Sequence, residues 1–429
     1  MLKISPLIGT VFLVLVFSCK RERTQIDIPI PTQTNYGPDS LKLSKEAYHD
    51  KVLGALVGSA IGDAMGASTE MWDRKDIRTK YGYITGLTAA VRERSPEGTW
   101  DHNLSPGAST DDTRWKFLMT QYIAQERSRL NAENFARFIT GYYQSLIPAL
   151  SDSKTLKNPD LLDQQMEKVD WIKEWARVAL AYQQGPEAYQ LAQNRFYGGE
   201  MSCAGMLYTP MLGLITANVD SAYRIAYKHS LFDIGYAKDI SALVAAMTNM
   251  ALHTRNMDSI LNVHVFVDPF GYQDSRLVGR IPHNVAAAAE KEVTLSKTMR
   301  DIILTDTLDL EMPKGYPGDP IEWDRQAHLY EYLKKNQKAI PFHAGEIWET
   351  VIAALKFGEG DFNKTLQFVI NYGRDNDTAG AVAGFILGAR NGFSGLPKDL
   401  RDQSLEVNRE LMGIDLEDMA KEIVGDSKQ

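Results

Sequence analysis

Apolar positions recur at helical spacing along most of the chain. In LSKEAYHDKVLGALVGSAIGDAMGASTEMW, which opens near Ser44, Val52, Ala55, Leu56, Ser59 and Ala60 fall three or four residues apart. The same period marks roughly 111–126, 131–149, 169–183, 219–231, 236–254, 284–293, 343–356, 362–371 and 377–390. Strand-like alternation is confined to LNVHVFVDP at 261–269. Helical segments dominate, so the pattern predicts an all-α domain. Glycine and proline cluster in 264–282 and 311–320, which predicts surface loops there. The glycines and alanines of the first segment predict close packing, because a helix without bulky side chains admits a neighbouring backbone. No fixed-period repeat is evident, and MAKEIVGDSKQ predicts a final helix with a frayed end.

Composition narrows the class. A chain of 429 residues, 44% hydrophobic, can bury a large core. Lys and Arg total 47 against 55 Asp and Glu, a net charge of -8, so no global positive field recruits nucleic acid or anionic lipid. Sequence-specific nucleic-acid binding is not expected, and the chain is expected to be a monomer. The first residues, MLKISPLIGTVFLVLVFSCKRERT, place Lys3 before an apolar run too short for a stable spanning helix. Residues 1–18 have the layout of an export signal and resemble a bacterial lipoprotein signal, with Cys19 as the lipidated residue; Phe17 is bulkier than that pattern usually has. The alternatives are an ordinary cleaved signal or an uncleaved anchor. Residues 19–43, rich in Thr, Gln, Pro and Asp, predict an extended tether, with the folded domain at 44–429. The expected location is the bacterial cell envelope, with Lys20 after the cysteine pointing to the outer membrane, or secretion if Cys19 is not lipidated. The two cysteines, Cys19 and Cys203, rule out a disulfide scaffold.

Two acidic stretches carry the chemistry. GASTDDTRWKF at 107–117 sets Asp111 and Asp112 between Thr110 and Thr113 before an apolar run. An ordinary helix cap by Ser109 or Thr110, with acids favoured in the first turn, accounts for this motif alone. NYGRDNDTAGAVAGF, far downstream, repeats the layout with Asp375, Asp377 and Thr378. If both helix starts face one cleft, four carboxylates in a poorly solvated place need compensating cations. Two divalent ions balance them formally. Carboxylate and hydroxyl oxygens suit Mg²⁺, and Mn²⁺ accepts the same ligands; no histidine or thiolate set favours zinc.

The sequence resembles the ADP-ribosylglycohydrolase family in three motifs: Gly62, Asp63, Gly66 and Glu70 in GDAMGASTE; Thr110, Asp111, Asp112 and Thr113; and Asp375, Asp377 and Thr378. The resemblance spans about 45–395. It implies a compact helical domain around two Mg²⁺ ions held by Thr110, Asp111, Asp112, Asp375, Asp377 and Thr378. It also implies removal of ADP-ribose from a modified macromolecule, or cleavage of a related N-ribosyl bond in a nucleotide-like small molecule. Glu70 would contact substrate or serve in acid–base work, and either Asp112 or Asp377 would orient or deprotonate the attacking water. Two alternatives remain: a hydrolase of a different nucleoside or nucleotide glycoside, and a catalytically silent, metal-dependent binding lipoprotein.

Several residues bear on the substrate. The family's Met-Arg-x-x-Pro is here Met206, Leu207 and Pro210, and Ser202 and Cys203 stand where an Asn-Gly turn is common. Backbone N–H groups of such a loop still bind phosphates, whereas a lone buried cysteine is usually an apolar filler. Arg374 replaces a common glycine and would grip a substrate anion or pair with Asp375. Tyr372 would stack on a base or cover the core. Trp100 and His102 lie in an expected cleft-side loop. Asp63 is a further candidate for substrate contact, or it holds loops by accepting backbone hydrogen bonds.

Overall fold

Glycine at every fourth position decides how the core is assembled. The computed structural model describes residues 42–91, 103–298 and 311–425, all within one compact unit, Gln33–Gln429. The segment expected to be an export signal, Cys19 and nearly all of the expected tether lie outside the described residues. The architecture is all-α, as the hydrophobic period predicts. The helices that build the site are α1 (Lys45–Gly66), α2 (Asp111–Glu126), α3 (Pro159–Gln184), α4 (Ala237–His253), α5 (Ala344–Gly358), α6 (Phe362–Tyr372) and α7 (Asn376–Asn391).

Helices α1 and α7 run antiparallel through the middle of the core with their glycines interlocked. A Cβ on Gly58 would stand 2.4 Å from the Gly384 carbonyl oxygen, and one on Gly62 only 2.0 Å from that of Gly380. No side chain fits in such a gap, so the backbones touch directly. At the end of this ladder a Cβ on Gly66 would meet the Asp377 Cα at 2.3 Å. The close approach therefore delivers the start of α7, with its aspartates, to the end of α1, which carries Asp63.

Strand structure among the described residues is limited to two antiparallel pairs of two-residue strands. The pair β1 (Trp72–Asp73) with β4 (Gly373–Arg374) ties the turn after α1 to the start of α7, and β2 (Ala90–Val91) pairs with β3 (Asn103–Leu104). The strand expected at 261–269 is instead two short helical turns, Met257–Leu261 and Val263–Phe266. Its side chains do not alternate: Val263 and His264 are buried while Val265 and Phe266 are exposed. β-Branched residues favour a strand only where a partner strand exists to pack against. Helices at Pro186–Phe196, Pro320–Lys335 and Lys398–Glu410 add to those the period predicts, and the one expected at 169–183 starts earlier, at Pro159. Among the described residues no helix is long and apolar enough to cross a membrane.

Candidate functional site

The start of α2 is capped from another helix. Thr110 occupies the cap position, yet its side chain makes no capping bond. Asp63, fully buried on α1, takes that role. Its Oδ1 accepts from the Thr110 N–H (2.8 Å) and hydroxyl (2.8 Å), and its Oδ2 from the Thr113 N–H (3.0 Å) and hydroxyl (2.6 Å). A carboxylate fits here because the first N–H groups of a helix have no partners of their own. Asp63 therefore faces the helix start and not the cavity, which corrects its candidacy for substrate contact. The cap expected from Ser109 or Thr110 is likewise corrected, since the Ser109 hydroxyl bonds to Asn408 instead.

The two acidic helix starts meet. The Thr110 hydroxyl lies 3.4 Å from Asp377 Oδ2, and the Thr378 hydroxyl donates to Asp112 Oδ2 at 2.9 Å. Asp375 receives the Cys203 thiol at 3.5 Å. Burial pushes the Asp63 carboxyl up to about 6, with the Asp377 charge adding and the Thr113 and Thr110 hydrogen bonds opposing. Burial also holds Asp112 well above the usual carboxylate range; Lys116 opposes this, and Asp63, Asp377 and Asp111 reinforce it. Carboxylates gathered under such cost are a mark of function more than of stability.

Above them opens a cavity of about 260 Å³. Asp111, Asp375, Asp377 and Thr378, at the two helix starts, line the side taken as its floor, and Glu70 lines it too, while Thr110 and Asp112 lie behind and do not line it. Glu70 is placed by a tight turn. The following residue, Met71, has a left-handed backbone (φ 64°), as does Arg374 (φ 63°) beside Asp375, and the Met71 N–H donates to the Arg374 carbonyl at 2.7 Å. Two strained, mutually bonded residues thus flank Glu70 and Asp375, and strain of this kind gathers where geometry matters more than stability.

The remaining candidates separate. Cys203 and Leu207 line the cavity, but Ser202 does not; its backbone pairs with His343 and its hydroxyl is buried without a hydrogen-bond partner. Arg374 grips neither substrate space nor Asp375. Its guanidinium pairs with Glu346 (2.7 and 3.1 Å) and donates to the Lys338 carbonyl (2.9 Å). Tyr372 is 3% exposed, packs on Tyr330 and accepts from Gln337, so it covers the core and does not stack on a ligand. Trp100 and His102 lie outside the described residues.

The sequence reading missed the opposite wall: Asp170, Trp171, Glu174 and Trp175 on α3, with Phe196, Tyr197 and Phe342. The signal was present in DWIKEW, where acid–tryptophan pairs repeat four residues apart on one helical face. Aromatic rings in sequence of contact, Trp175–Phe196 (5.0 Å), Phe196–Tyr197 (4.3 Å) and Tyr197–Phe342 (5.6 Å), make this wall a continuous apolar surface. Among the described lining residues there is no Lys, Arg or His.

Comparison with known proteins decides the family. The model of the ADP-ribosylglycohydrolase family matches residues 44–429. The chain belongs to the ADP-ribosylglycohydrolase family. It is 23% identical over 368 residues to YegU, an uncharacterised protein of Escherichia coli (strain K12), covering 84% of this chain and 93% of that one. A shorter stretch of 76 residues, 18% of this chain and 23% of the relative, is 36% identical to the ADP-ribosyl-[dinitrogen reductase] glycohydrolase of Rhodospirillum rubrum. The solved structure of an ADP-ribosylglycohydrolase-related protein complex shares the fold, with a TM-score of 0.50 and 17% identity over 89% of this chain and all of that one. Membership makes this a glycohydrolase-like enzyme, in a family that generally depends on a divalent metal and is directed at ADP-ribose or modified protein.

The floor of the cavity fits a hard cation. Asp111, Asp375, Asp377 and Thr378 offer only oxygen, the donor that Mg²⁺ and Mn²⁺ prefer. Behind them the Asp112 carboxylate is buried, its Oδ1 making no hydrogen bond and standing 3.5 Å from the Lys116 ammonium. Among the described residues no three His, Cys, Asp or Glu side chains form a ready-made cage, and the Thr110 and Thr378 hydroxyls lie against the acids.

Proposed function

We propose that this chain is a divalent-cation-dependent hydrolase of an ADP-ribosyl or related N-ribosyl bond, working in the cavity between α2, α3 and α7. The observation that supports it is convergence: Glu70, Asp111, Asp375 and Asp377, from three distant parts of the sequence, line one cavity. Asp111, Asp375, Asp377 and Thr378 would hold the cation, Mg²⁺ or Mn²⁺, with Asp112 and Thr110 bracing them from behind. When bound, the ion supplies Lewis-acid polarisation and fixes ribose hydroxyls.

The chain's own residues do the rest. As the bond to the leaving group lengthens, positive charge grows on the sugar, and the Asp375 and Asp377 carboxylates stabilise it in a site where few waters compete. Asp377, on the cavity floor, is better placed than Asp112, behind the wall, to orient a water or take its proton. Glu70, which also lines the cavity, exchanges a proton with the leaving group. Trp171, Trp175 and Tyr197 exclude water, and Asp170 and Glu174 favour an acceptor that is cationic or neutral at that end.

A cavity of about 260 Å³ lies below the usual range of about 300–1,000 Å³ for sites that enclose a whole ligand. That favours a second reading, in which a smaller ribosyl compound is the substrate; for an ADP-ribosyl group, only the ribosyl end would be enclosed. The amino terminus supports placement in the cell envelope through lipidated Cys19, with 19–43 as tether; incorporation of a labelled lipid precursor, lost in Cys19→Ala, tests this.

Product analysis on ADP-ribosylated arginine and serine peptides and on ribonucleosides tests the function. Expected is release of free ADP-ribose or ribose with Mg²⁺, loss on chelation, and a fall of at least about a hundredfold in Asp377→Ala and Glu70→Gln. Tight, metal-dependent binding with no product from any substrate would instead make the chain a binding protein.

A further inference from the structure

Lys116 lies one helical turn beyond Asp112 on α2, and each is 1% exposed. Its Nζ donates to the Asp112 carbonyl at 3.0 Å and stands 3.5 Å from Asp112 Oδ1. That Oδ1 is the buried atom without a hydrogen bond, while Oδ2 is taken by the Thr378 hydroxyl. An ammonium in the protein interior persists only beside a counter-charge, and an Asp followed by a Lys four residues later on a helix holds the two in register. Lys116 does not line the cavity, so no substrate contact explains its burial.

The positions behind the wall are therefore already committed. The Thr110 hydroxyl donates to Asp63, Asp112 Oδ2 accepts from Thr378, and Lys116 sets a positive charge 3.5 Å from Asp112 Oδ1. The residues that line the cavity on this side are Asp111, Asp375, Asp377 and Thr378. We propose that the Lys116 ammonium stands in for a second divalent cation at Asp112, so that this chain holds a single divalent ion on the cavity floor. The two-ion count that the four carboxylates suggest overlooks this lysine. The proposal rests on reading the floor as a cation site, and its failure is distinguishable from failure of that reading.

Mn²⁺ titration of the full chain, followed by calorimetry and electron paramagnetic resonance, separates the cases. Wild type is expected to bind one equivalent with the spectrum of an isolated ion. Lys116→Met, which keeps the length of the side chain without its charge, is expected to bind a second equivalent and to show spin coupling between the two ions. Two equivalents with a coupled spectrum in wild type would overturn the proposal while leaving the cation site standing, as would a folded Lys116→Met that still binds one. No binding by wild type would overturn the cation reading and this proposal with it. If Lys116→Met does not fold, the wild-type spectrum alone decides.

Discussion

Asp63→Ala is expected to lower stability by about 3 kcal/mol and to abolish divalent-cation binding, although Asp63 does not reach the cavity. The substitution removes four hydrogen bonds and strands the buried N–H groups of Thr110 and Thr113. Each orphaned buried donor costs about 1–3 kcal/mol; relief of the burial cost of the carboxylate itself, together with its repulsion by Asp377, offsets part of that. Without the cap, Asp111 and Asp112 lose their orientation toward α7. Asp63→Asn should not rescue, because its amide would point donors at one of the two N–H groups. Denaturant unfolding and metal titration check both halves; a variant with wild-type metal affinity would show that the cap does not position the aspartates.

Gly58→Ala is expected to cost about 3 kcal/mol or more, an unusually large effect for one methyl group on a helix. The new Cβ would lie 2.4 Å from the Gly384 carbonyl oxygen, and the obstacle is backbone, which cannot rotate away. The two helices must separate, and the separation is passed along the ladder to Gly66 and Asp377. Helix propensity alone predicts the opposite sign, a gain of about 1 kcal/mol. Gly141→Ala is the control. It lies in the helix Ala132–Leu150 with nothing within 4 Å of its Cβ position, so it should be neutral or stabilising. Paired unfolding curves distinguish close approach from propensity, and equal stabilisation of both variants would remove the packing account.

The all-α class was legible because buried helices repeat apolar residues at a fixed period. The paired aspartate motifs were legible because acidic first turns before apolar runs are local. What joins them was not. Asp63 reaches Thr110 and Thr113 across some fifty positions, and Arg374 on β4 reaches Glu346 on α5; neither pairing leaves a trace in spacing. Arg374 in particular reads equally as a grip on a substrate anion or a partner of Asp375 until Glu346 is seen to hold it. Lys116 was hidden in an apolar stretch, where a charged residue reads as a solvent-facing position. The helix Pro320–Lys335 had a local signal that the neighbouring glycines and prolines obscured: Asp319 caps the Glu322 N–H at 2.8 Å, and Pro320 occupies the first turn. The strand expected at 261–269 shows the reverse failure, local alternation overruled where no strand among the described residues pairs with it.

The position of a bound ion tests the central claim most directly. In crystals of the wild-type chain equilibrated with Mn²⁺, anomalous diffraction should place a peak at the cavity floor within direct ligand distance, about 2 Å, of Asp375 and Asp377. A floor without a peak at saturating Mn²⁺, or an ion held elsewhere in the molecule, would contradict it.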